Sequence, residues 1–107
     1  MAKTIDLQIK ITHATTLGSR FKGLLFHKKP ITKEGLLLKP CNSVHMCFMR
    51  FPIDVVFLDS SNKVVKVVSD LKPWRIVPPV SGAHAALELP AGTVKAREIC
   101  VGDWIKV

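Results

Sequence analysis

The chain has 107 residues, 48% of them hydrophobic, and carries 16 Lys/Arg against 8 Asp/Glu for a net charge of +8. That is the length of one ordinary domain, 1–107, with enough apolar content for a core. No apolar run approaches the roughly 20 residues of a membrane-spanning helix, and there is no internal repeat. No export signal precedes the first alternating stretch, so a cytoplasmic location is expected.

The charge is unevenly placed. Residues 1–50 hold nine of the Lys/Arg against only Asp6 and Glu34. Such an imbalance permits an anionic partner, whether nucleic acid, a membrane surface or a phosphorylated small molecule, against the plainer reading of a solvated basic face. Tyr is absent and both Trp lie in the other half, so no aromatic platform interleaves with the basic residues and specific nucleic-acid binding is not expected. Three Cys without a CxxC spacing argue against a disulfide framework and for a reducing compartment.

In chain order, residues 4–11 alternate apolar and polar side chains, which predicts a strand with one buried face. Leu17, Phe21, Leu24 and Leu25 follow helical spacing after Thr15 and Thr16, two candidate N-caps, so an N-terminal helix is predicted with His13 in the loop before it. A basic loop broken by Pro30 leads to a short strand at 35–38 and a turn at 39–43. Residues 44–51 read as extended, and Pro52 belongs at a bulge or edge because it cannot donate to a ladder. Residues 53–59 and 63–68 flank Ser60-Ser61-Asn62 as a hairpin. The segment 72–80 holds three Pro with Trp74 and Arg75 and predicts a connector wrapping an edge or mouth. A strand at 85–89 follows, then a single helical turn from Thr93 to Arg97 capped by Thr93, and a closing strand at 104–107. The expected fold is mainly β, a sandwich or barrel-like arrangement with one N-terminal helix and a short helical turn near the C-terminus.

Several stretches mark the chain: Arg20-Phe21-Lys22-Gly23-Leu24-Leu25, the segment 45–59 with Phe48, Met49, Ile53 and Asp54, and Glu88-Leu89-Pro90-Ala91-Gly92 followed by Val101-Gly102-Asp103. In these the chain, from about residue 14 to 107, resembles the family called domain of unknown function 192, small and mostly bacterial and archaeal proteins. The resemblance implies a compact β-rich fold with an N-terminal helix, and no established activity. It also implies that some relatives are exported.

Functional candidates concentrate in residues 40–59. There the first reading is a small-molecule-binding or accessory module. Trp74 and Arg75 would form its mouth, Arg50 and Lys72 its charge partners and Glu88 a possible wall, for an anionic molecule or a sugar. The second is a soft-metal site for copper or zinc. An extended segment puts His45, Cys47 and Met49 on one face, with Cys41 as a fourth ligand. The third is an enzyme of unknown reaction. Asp54, expensive to bury unpaired, would join His45 as base and Arg50, Arg97 or His84 would be its partner, with Cys47 as a nucleophile. The sequence assigns no cofactor. Bland roles compete for the remaining groups: Glu88 facing solvent between Leu87 and Leu89, Cys100 as a buried small hydrophobe, and Asp103 in an ordinary turn.

Overall fold

The computed structural model describes residues 2–14, 34–46 and 50–107. Nine strands and one helical turn occur among them: β1 (Thr4–Asp6), β2 (Lys10–Ala14), β3 (Glu34–Leu38), β4 (Val44–His45), β5 (Ile53–Leu58), β6 (Val64–Leu71), β7 (Ile76–Val77), β8 (Ala85–Pro90), α1 (Thr93–Ala96) and β9 (Trp104–Lys106). A five-stranded sheet in the order β2-β3-β8-β5-β6 forms the centre. Its β2–β3 pair is parallel and its other pairs are antiparallel.

Both faces of this sheet are covered, and the burial shows it. All six residues of β5 are buried, as are the first five of β8, the continuous pattern of strands sandwiched on two sides. On one face Leu36, Leu38, Val55, Phe57 and Ala86 pack with Val44 and Val77 of the two-stranded β4–β7 ribbon. On the other, Leu37, Val56, Leu58, Leu87 and Leu89 pack with Ile5 and Ile105 of the parallel β1–β9 ribbon and with Val94 of α1. The mainly β expectation is met as a sheet with a ribbon on each side. The helix predicted over 17–25 lies outside the described residues, and α1 is the one helix among them.

Several boundaries differ from the pattern in the sequence, each for a local reason. The alternation over 4–11 is real, with Ile5 and Leu7 buried and Ile9 and Ile11 packed beside them. It is split into two strands at Gln8, whose φ is 54°. The Gln8 N–H donates to Asp6 Oδ1 at 2.9 Å, a side-chain turn that bends the backbone away from one strand into the next. His13, by sequence a loop or surface residue, stands exposed in β2. The 72–80 connector contains a short strand, β7, which pairs with β4 through Val44–Val77 and His45–Ile76.

Asp54 is the polar centre of the fold. It is almost wholly buried in β5. Between the pairs Ile53–Leu71 and Val55–Val68, Asp54 alone stands against Ser69 and Asp70, so β6 bulges by one residue. Asp54 Oδ1 accepts the Asp70 N–H at 2.8 Å, and Oδ2 accepts the Val94 N–H, also at 2.8 Å. One carboxylate thus satisfies the amide displaced by the bulge and an amide in the first turn of α1. Thr93, the expected cap, instead donates through Oγ1 to the Pro90 carbonyl, and Gly92 occupies the N-cap.

Replacing Asp54 by Ala leaves two amides without acceptors, at about 1–3 kcal/mol for each buried one. Asp54→Ala is expected to lose about 2–4 kcal/mol in urea denaturation. Asp54→Asn should lose nearly as much, because its amide NH2 would face one of the two N–H donors.

Candidate functional site

The register separates the residues that the sequence grouped. Asp54 pairs with Leu89 and Val55 with Glu88, and side chains alternate faces along each strand. Asp54 therefore points to the β1–β9 side, with Val56 and Leu89, while Glu88 points to the β4–β7 side, with Val55 and Leu36. Asp54 and Glu88 do not share a pocket. Among the described residues Asp54 has no cationic partner: Arg50 is exposed, and Arg97 donates instead to the carbonyls of Leu7 at 3.2 Å and Asp6 at 2.5 Å. Both Asp54 oxygens already accept backbone amides, which leaves the carboxylate holding the chain rather than facing a substrate.

Glu88 is the larger departure from expectation. Read from the sequence either as a wall of the site or as a solvent-facing residue, it is only 8% exposed, so the second reading is corrected. It lies in the middle strand of the sheet, directly opposite Leu36 on β3 and Val55 on β5. Among the described residues no group hydrogen-bonds to its carboxyl. Burial in these apolar surroundings pushes its pKa from 4.5 up to about 7, because desolvation disfavours the charged form.

The β4–β7 ribbon lies over the same face. The Met46 N–H donates to the Arg75 carbonyl at 2.8 Å and the Trp74 N–H to the Met46 carbonyl at 2.7 Å. These bonds hold Trp74 at a φ of 68° with 61% of its surface exposed. A bulky residue in the left-handed region costs about 1–3 kcal/mol and persists only where its surroundings impose it. Arg75 and Ile76 beside it are also exposed. These backbone bonds tie Trp74 and Arg75 to Met46 of the central segment. Lys72 forms an exposed ion pair with Asp70 at 3.0 Å, so it is already engaged.

Of the proposed metal ligands, Cys41 is buried and its thiol donates to the Ser43 carbonyl at 3.0 Å. The side chain of His45, and all of Cys47 and Met49, lie outside the described residues. Among the described residues no three His, Cys, Asp or Glu side chains converge to hold a metal. Cys41 also lines an open cleft of about 280 Å³ with Pro40, Asn42, Ser43, Ala83 and His84.

The expectation for Cys100 is corrected, whereas Asp103 closes the expected turn, its N–H donating to the Cys100 carbonyl at 3.1 Å, and its side chain does more than the turn requires. Cys100 is exposed, its thiol 3.6 Å from the Glu98 carbonyl. Asp103 is buried and accepts from the Lys3 ammonium at 2.9 Å, the Lys3 N–H at 3.1 Å and the Cys100 N–H at 2.9 Å. The Lys3 ammonium first, and then the Cys100 amide, hold the Asp103 carboxyl below its ordinary range. No pattern near residue 103 signals this, since its partner is 100 residues away.

The Glu88 environment sets a pH dependence. A carboxyl with a higher pKa folded than unfolded binds more protons in the native state, so stability falls as pH rises. The loss begins near pH 4.5 and is complete above about 7, amounting to about 3 kcal/mol. Chemical denaturation across pH 4.5–8 should show this decline, and Glu88→Gln should flatten it. A slope unchanged in Glu88→Gln would mean that another group causes it.

Comparison with known proteins adds the following. The chain matches the DUF192 family, described as "Uncharacterized ACR", over residues 1–107. It is 36% identical over 109 residues to a UPF0127 protein of Pyrococcus furiosus, covering 99% of this chain and 93% of that one. It is 35% identical to a UPF0127 protein of Thermococcus kodakarensis, of which it spans 63%. A crystal structure of a protein of unknown function from Novosphingobium aromaticivorans superposes with a TM-score of 0.76 at 22% identity, over 88% of this chain and 71% of that one. That similarity establishes a shared fold.

Proposed function

Because the chain belongs to the DUF192 family of uncharacterised proteins, we propose from its own residues that it is a small-molecule-binding module whose mouth is the Trp74–Arg75 turn. The observation that carries this reading is the exposed Trp74, locked at positive φ onto the Met46 carbonyl. Strain of this kind collects at binding sites, where a side chain must be presented in a fixed pose. An aromatic side chain carried on a fixed backbone and largely exposed offers a stacking surface.

Arg75 adjoins the ring and gives the ligand its sign. A guanidinium recognises carboxylate or phosphate through paired N–H donors. Arg50 is a second exposed cation beyond the central segment and would add long-range attraction. The ligand class is therefore a small anion. The strands beneath supply rigidity: the ribbon residues Val44, Met46 and Val77 are buried against the sheet, so the mouth sits on a fixed base.

Tryptophan fluorescence tests this reading directly. Titration with small carboxylates and sugar phosphates should change the emission, and the change should vanish in Trp74→Phe. Trp104, with the Lys63 ammonium 5.2 Å from its ring centroid, remains in that variant as an internal reference. Arg75→Ala should weaken binding by about tenfold, the value of a charge-assisted hydrogen bond. Emission that no anion alters, or a response that persists without Trp74, would contradict the proposal.

A further inference from the structure

Glu88 is an acid in a place where an acid is costly. Its neighbours across the sheet are Leu36 and Val55, and its neighbours along the same face of β8 are Ala86 and Pro90. None can hydrogen-bond a carboxyl through its side chain. The opposite face of the sheet shows the ordinary solution: Asp54 on β5, also buried, accepts two amides. Glu88 accepts none among the described residues. A Leu or Gln there would serve packing at lower cost, so the carboxyl is explained best by a partner that arrives from outside the chain.

The chemistry of that partner follows from what Glu88 lacks. A divalent ion needs several oxygen or nitrogen ligands, and the described residues bring together no group of three His, Cys, Asp or Glu to form such a set. A neutral hydroxyl leaves a buried carboxylate without its counter-charge. An ammonium or guanidinium group supplies both hydrogen bonds and charge. The apolar cluster on the Glu88 face includes Met46 and Val77, and the Met46 backbone bonds to Trp74 and Arg75, so Glu88 and the mouth lie on the same side of the sheet.

We propose that Glu88 is the interior anchor for a ligand's ammonium or guanidinium group, so that the molecule taken at the Trp74–Arg75 mouth is an amino-bearing anion of the amino-acid type. This rests on the binding reading above and extends it by assigning the second charge. Arg75 takes the acid end, Trp74 covers the carbon chain, and Glu88 receives the amine.

Calorimetric titration with matched probes separates the parts: 4-aminobutyrate and lysine, against butyrate, which lacks the amine, and butylamine, which lacks the acid. The amino-bearing anions should bind at least about tenfold tighter than butyrate. Glu88→Gln should erase that gap while leaving butyrate binding unchanged. Melting curves at pH 8 for Glu88→Gln and Glu88→Leu should lie at or above the parent, showing that the fold survives. Butyrate binding with no gain from the amine would overturn the inference and leave the mouth standing, as would a gain that persists in both variants. A sugar phosphate binding as tightly as the amino-bearing anions would likewise overturn it. If neither butyrate nor its amino counterpart binds and Trp74 emission is silent to every anion, the mouth and the anchor fail together.

Discussion

The carboxylate of Asp54 is the point at which the separate parts of this fold are made to agree. Strand β5 must run flat between β8 and β6, yet β6 must bulge and the chain after β8 must turn into α1. Each departure leaves a backbone amide without a regular partner, the Val94 amide buried and the Asp70 amide part-buried. Asp54 takes the Asp70 amide with one oxygen and the Val94 amide with the other, so the bulge and the helical turn are fixed by the strand that separates them. Asp103 repeats the device at the far ribbon, binding Lys3 and the Cys100 amide. In both cases a buried acid is affordable because backbone donors surround it. Glu88 stands apart from both, and the contrast gives it functional weight.

The sequence disclosed much of the fold because its signals are local. The hairpin around Ser60-Ser61-Asn62, the continuous apolar run of β5 and the alternation near the N-terminus depend on neighbours a few residues apart. Asn62 adopts a φ of 66° at the turn, as its residue type suggests. The connector with Trp74 and Arg75 was legible as an edge-wrapping segment through its prolines, though its two-residue strand was not.

What stayed hidden depends on contacts between distant residues. Leu87-Glu88-Leu89 alternates like a half-exposed strand, and that pattern predicts a solvent-facing Glu88. It fails because β8 lies in the middle of a sheet covered on both faces, a fact of strand order rather than of composition. Asp54 looked like one half of an ion pair with Arg50, whereas its partners are amides 16 and 40 residues away. Thr93 had the right residue type for a cap, but a carboxylate from another strand took that role. The grouping of His45 with Asp54 in one site came from nearness along the chain, and the alternation of the strand sends Asp54 to the face away from Glu88 and the β4–β7 ribbon.

The parallel pairing of β1 with β9 has a consequence for how the chain reaches this state. Residues 4–6 lie in register with residues 104–106, so among the described strands β1 has no ladder partner until residues 104–106 have been made. During synthesis Ile5 waits without Ile105, and the inner side chains of Leu37, Val56 and Leu87 remain short of their cover. Closing a loop of that length is entropically demanding, though the cost grows only with the logarithm of length. Contacts so distant also slow folding more than they weaken the folded state. The last few residues therefore act as a latch: the sheet can assemble before them, but the face carrying Val56 and Leu87 is sealed only when they arrive.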